Sequence, residues 1–141
     1  MVSLVKSLIC RGCITIDQNA NITNLINLLN YNSVGCLVVL SKKISVPVGM
    51  VSERDLIRNF SYIINNRYKK VSQIMTKKII SCSIKTTSKE LMEIMTNHKI
   101  RHIPIIDQGN LLGIVSIGDV VNRLINNYAE ETKLLREYIN S

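Results

Sequence analysis

With 141 residues, 46% of them hydrophobic, the chain can bury a core without disulfide or metal staples, and two prolines and six glycines leave little material for a long linker. The net charge of +8, from 18 basic and 10 acidic side chains, favours anionic ligands, but it is mostly dispersed lysine with few aromatics. That excludes the stacking platform of a nucleic-acid binder, and no window approaches the roughly 18 apolar residues of a membrane span or shows a cleavable leader.

Residues 1–9 carry Val2, Leu4, Val5, Leu8 and Ile9, an amphipathic stretch that predicts a short helix packing across the repeats. Residues 13–16 read as a strand. Turn and cap candidates at 19–21 precede Ile22, Leu25, Ile26, Leu28 and Leu29 at helical spacing, and Asn32-Ser33 ends that helix. The β-branched run 36–40 predicts a strand buried on both faces, followed by a basic loop at 41–47 and a strand at 48–51. A helix is predicted over 52–64, a polar connection over 65–70 and a helical turn over 71–75.

The order then repeats. Ile79 and Ile80 begin a strand, Thr87-Ser88-Lys89-Glu90 is a capping box, and Leu91, Met92, Ile94 and Met95 form an apolar stripe. A strand over 100–106 is interrupted by Pro104, which suggests an edge or irregular position, and Asp107-Gln108-Gly109-Asn110 reads as a hairpin turn. After a strand at 111–115, a long helix runs from near Asn122 through Leu134, Leu135, Tyr138 and Ile139.

Gly113-Ile114-Val115-Ser116-Ile117-Gly118-Asp119 repeats the layout of Gly49-Met50-Val51-Ser52-Glu53-Arg54-Asp55. In each copy a glycine opens a strand and Ser-x-x-Asp caps the following helix. The same junction places a hydroxyl, a carboxylate and free amides where a phosphorylated sugar can dock. Segments 34–39 and 100–105 coincide at an offset of 66, the two motifs at 64, and the loop at 41–47 takes up the difference. The fold predicted is α/β (α+β), a β-α-β-β-α unit duplicated at 1–70 and 71–141, with two pseudo-symmetric halves packed on each other.

These two motifs, with Arg101-His102-Ile103-Pro104-Ile105 between them, closely resemble the tandem cystathionine-β-synthase-type (CBS) domain pair. The Met-Thr ending of segment 71–76 resembles the lead-in to the second domain of stand-alone bacterial members. The resemblance implies two βαββα CBS repeats forming one Bateman-type module, cytoplasmic, often a homodimer, with an adenosine-containing ligand held between the repeats. It places Asp119 and Asp55 at the ribose, and Ser116, Arg101, His102 and Ser52 at the phosphates. Adenine then falls among Ile80, Cys82, Ile103, Ile114, Val34 and Cys36, with Lys99 and Arg54 as reserve cations. The first copy departs at Gly35 and Cys36, which stand where the second has Arg101 and His102, so one site is expected to hold phosphate less well. AMP, ADP, ATP and NAD(H) are the implied ligands, with S-adenosylmethionine a further candidate and no cofactor required.

No nucleophile and base come together in the pattern, so no enzyme is expected. Cys10 and Cys13 form a C-x-x-C without a second close pair, and His98 and His102 lack a third ligand, so neither zinc nor redox chemistry is expected. The rival to a ligand sensor is a dimerisation scaffold that acts through protein contacts of the long C-terminal helix.

Overall fold

A computed structural model describes residues 2–42 and 46–140, so the middle of the predicted basic loop lies outside the described residues. Its elements follow the predicted order: α1 (Leu4–Ile9), β1 (Thr15–Asp17), α2 (Ile22–Asn32), β2 (Cys36–Leu40), β3 (Pro47–Ser52), α3 (Glu53–Arg58), α4 (Phe60–Ile64) and α5 (Val71–Ile74), then α6 (Ser88–His98), β4 (His102–Asp107), β5 (Asn110–Ser116) and α7 (Ile117–Asn140). The caps are those the sequence announces. Asn21 Oδ1 accepts the Asn24 N–H at 2.8 Å, Thr87 and Glu90 close a capping box, and Gln108 and Gly109 both take positive φ in the β4–β5 hairpin.

In the first repeat β1 runs parallel to β2, and β2 pairs antiparallel with β3. In the second, β4 and β5 pair antiparallel, and Cys82 joins β4 through a single parallel bridge to Ile105. Ile16 pairs with Val39 as Cys82 pairs with Ile105, and each hairpin has its irregularity at the same place, after Val39 and after Ile105. The duplication is thus visible residue by residue.

Two departures from the predicted elements have local causes. The strand expected from Ile79 and Ile80 shrinks to the bridge at Cys82. There Cys82 N–H donates to Pro104 O at 3.0 Å, and Ile106 N–H donates to Cys82 O at 2.9 Å. The next rung would need an N–H from residue 104, which proline lacks, so pairing stops. Pro104 is therefore an irregular position and not an edge one: it lies between Cys82 and Ile114, where the pairing stops. The helix predicted over 52–64 divides at Asn59, whose Nδ2–H donates to Asp55 O at 2.8 Å, a side-chain competitor for the helical carbonyl.

The two cores exchange their leading helices. Leu4, Val5 and Leu8 of α1 pack with Cys82, Leu91, Met95, Ile103, Ile105, Val115 and Val120 of the second repeat. Val71 and Ile74 of α5 pack with Leu25, Leu37, Val39 and Val51 of the first. Each repeat is thereby completed by the segment that precedes the other, which ties them into one body.

Candidate functional site

Each Ser-x-x-Asp motif lies where the last strand of its repeat meets the next helix. In the second copy Asp119 accepts the Ser116 N–H at 2.8 Å, and Ser116 Oγ accepts the Asp119 N–H at 3.1 Å. In the first, Asp55 Oδ2 accepts the Ser52 N–H at 2.8 Å and the Ser52 hydroxyl at 3.1 Å. Both aspartates therefore cap helices, and each carboxylate retains lone pairs for further donors because it offers about four acceptor positions.

Strand alternation decides which predicted residues share a face. His102 pairs with Ser116, and Pro104 with Ile114; Cys36 pairs with Ser52 in the first copy. A Cβ built on Gly35 would stand 3.7 Å from Glu53 Oε2 and 4.0 Å from His102 Cε1. The beginnings of β2 and β4 thus meet, bringing together the motif ends of both repeats. Burial holds the His102 imidazole below its ordinary value; Asp119 and Glu53 oppose that shift, and Arg101 adds to it.

The apolar residues predicted for adenine divide. Ile80 and Ile114 are half-buried, and so is Val34, which packs against the first core. Cys36 and Cys82 are buried, with thiols pushed up to about 12 and about 11 chiefly by burial. Ile103 is a correction: it is fully buried in the second core, one position out of phase with His102 and Pro104, and turns away from the face that carries Ser116. Arg101 is exposed beside His102, Arg54 is exposed on α3, and Lys99 forms the left-handed end of α6.

Sequence reasoning missed Arg11. Its Nη1 and Nη2 donate to Asp119 Oδ1 and Oδ2, both at 3.0 Å, and Nη2 also donates to Ile114 O at 2.8 Å. Burial pushes the Asp119 carboxyl up, but the hydrogen bonds from Arg11 and Ser116 outweigh it and hold the group below the usual carboxylate range. The available signal was the repeat itself: at the offset of 66 Arg11 coincides with Lys77, a cation at the same place in both copies.

A cavity of about 250 Å³ is lined by Leu4, Ser7, Leu8, Asp119, Asn122 and Arg123. A larger one, about 580 Å³, is a shallow hollow beside β1 and α2 that includes Asp17, Asn24 and Tyr31 and none of the predicted site residues. Size does not make it the better candidate, because the paired motifs lie elsewhere. No group of three or more His, Cys, Asp or Glu side chains is placed to hold a metal among the described residues.

Known proteins share this fold. The chain is 36% identical over 117 residues to the mitochondrial CBS domain-containing protein CBSX3 of Arabidopsis thaliana, covering 79% of this chain and 56% of that one, so it spans little more than half of that relative. It is 30% identical over 129 residues to the CBS domain-containing protein YhcV of Bacillus subtilis, 91% of each chain. A crystal structure of a CBS-domain containing protein from Agrobacterium tumefaciens superposes with a TM-score of 0.76 and 34% identity, covering 84% of this chain and 90% of that one. A CBS domain protein from Pyrobaculum aerophilum complexed with AMP gives 0.72 and 26%, over 84% and 89%. The model of the CBS domain itself matches residues 5–62 and again 71–126, and with both repeats built alike the chain belongs to the CBS domain family as a tandem pair.

Proposed function

We propose that the chain is a regulatory, non-enzymatic module that binds an adenosine-containing nucleotide between its repeats. The observation that carries this is the meeting of the two motif ends, with His102 against Gly35 and a Ser–Asp pair flanking each side. A carboxylate accepts both hydroxyl protons of a vicinal diol, which gives Asp119 and Asp55 to the ribose. Ser116 at the start of α7, with Arg101 and His102, offers donors to a phosphate. The AMP bound by the Pyrobaculum relative supports the ligand class.

The copies differ in charge. Where the second has Arg101 and His102, the first has Gly35 and Cys36, and Glu53 faces Gly35. The second copy therefore receives the phosphorylated end of a ligand, and the first suits one with little negative charge. At the offset of 64 the exposed Ile57 and Ile64 of α3 and α4 coincide with the exposed Val121 and Tyr128 of α7, and the exposed Phe60 coincides with the half-buried Leu124, next to the exposed Ile125. Pseudo-equivalent apolar faces suit a second copy of the chain, and we assign them to a homodimer. Four unpaired cysteines support operation in a reducing compartment such as the cytoplasm.

A second reading, a scaffold that recruits another protein, draws on Leu134, Leu135 and Ile139, exposed near the end of α7. Titrating AMP into isotopically labelled protein separates the two. The sensor predicts saturable shifts of the Ser116, Asp119 and His102 amides, lost in Asp119→Asn; an unchanged spectrum at millimolar AMP favours the scaffold.

A further inference from the structure

We propose that Arg11 is an internal competitor for the second-copy ribose site: an adenosine ligand reaches Asp119 only by displacing this guanidinium, and reaches Asp55 without any such step. The proposal rests on the adenosine-binding reading above and concerns how that site is regulated.

Both Asp119 oxygens are engaged by Arg11 in a fork of two 3.0 Å bonds, and the third bond, to Ile114 O, anchors the fork against β5. A ribose diol directed at this carboxylate brings two O–H donors to the positions that two N–H donors hold. The exchange is feasible because the Arg11 side chain is 49% exposed and can return to water, whereas Asp119 is 17% exposed and needs replacement donors. The first copy is built otherwise. Lys77 holds the matching position without the planar fork, and Arg11–Asp119 is the one ion pair among the described residues. Among the described residues Asp55 has Ser52 alone as side-chain donor partner.

The latch also reaches beyond the site. Arg11 follows α1, whose other end is held where Arg123 Nη1 donates to Val2 O at 3.0 Å. Displacing Arg11 releases one of the two polar tethers that the described residues form between the α1 segment and the β5–α7 unit. For an uncharged adenosine ligand the sites then fill in order, Asp55 first, and only the second event loosens α1.

The test uses adenosine, which is neutral, titrated calorimetrically into the full chain carrying Asp55→Asn so that the Asp119 site alone is read. Adding Arg11→Ala is expected to tighten adenosine by about threefold to tenfold, the range of a half-exposed charge-assisted pair. A second measurement needs no Arg11 variant. Raising salt from about 0.05 to 0.5 M screens the latch and tightens adenosine binding to Asp55→Asn, although the ligand has no charge to screen. If Arg11→Ala leaves the affinity unchanged or weakens it, and salt has no effect, the competitor is overturned while adenosine binding stands. If adenosine gives no saturable heat with the unmutated chain, with Asp55→Asn or with the Arg11→Ala variant, the adenosine reading fails as well.

Discussion

Gly49 lies directly against Thr76: a Cβ on the glycine would stand 2.8 Å from the Thr76 carbonyl oxygen and 2.8 Å from Met75 Sδ. This is where the segment after α5 crosses β3, and Met50 and Thr76 exchange backbone hydrogen bonds of 3.0 and 2.8 Å. At the matching Gly113 a Cβ meets Ile105 Cδ1 at 3.4 Å and Leu8 O at 3.6 Å, ordinary contacts or nearly so. Gly49→Ala is therefore expected to destabilise by about 1–3 kcal/mol through overpacking, and Gly113→Ala by clearly less. Urea unfolding of the two variants side by side checks the difference.

His102 gives the fold a pH dependence of definite sign. Its imidazole is held below the ordinary 6.5, first by burial and then by Arg101, against Asp119 and Glu53. The unfolded chain thus binds this proton more readily than the folded one. Stability is full above about pH 6.5 and falls as the pH drops from there toward the folded value. Asp119 acts lower, since its depressed carboxyl adds stability above 3.8 that is lost as pH falls through the folded value. His102→Asn should flatten the first slope and leave the second, as read by urea midpoints across pH 3 to 8.

Cys10 should react apart from Cys36 and Cys82. Cys10 is exposed, whereas Cys36 and Cys82 are buried with thiols pushed up to about 12 and about 11. Since the thiolate is the nucleophile, iodoacetamide at neutral pH should label Cys10 while sparing Cys36 and Cys82 until the chain unfolds. Mass spectrometry of timed samples distinguishes this from uniform labelling.

The assignment of the exposed faces to a homodimer is tested by charge. Ile125 is 59% exposed and Phe60 60% exposed, so placing aspartate at either costs the folded monomer little. In a dimer it desolvates a carboxylate. Ile125→Asp and Phe60→Asp should each halve the mass measured by light scattering; an unchanged mass contradicts the assignment.

Much of this architecture is legible in the sequence because its signals are local. The run at 36–40 is β2 residue for residue, Thr87 and Glu90 cap α6 as their spacing says, and the repeat offset places the paired strands. What was not legible depends on distance in the chain. An amphipathic hexamer such as α1 carries an apolar face but no address, so nothing in it says that it completes the second repeat's core. Arg11 and Asp119 are 108 residues apart, and a contact between side chains so distant leaves no periodicity. Pro104 was legible as a missing donor, but not which neighbour would miss it. Ile103 was placed in the adenine pocket although strand alternation already put it out of phase with His102.

The most direct test of the central claim is a calorimetric titration of protein stripped of co-purified ligand with AMP, ATP, NADH and S-adenosylmethionine, repeated on Asp119→Asn. Asparagine can still accept the capping N–H, so the variant isolates the ribose contact from the helix cap. The predicted result is saturable binding of at least one of these ligands, weakened about tenfold or more by Asp119→Asn, the loss of charged hydrogen bonds to a diol. Folded, ligand-free protein that gives no heat with any of the four, or that binds equally well with and without the Asp119 carboxylate, contradicts it.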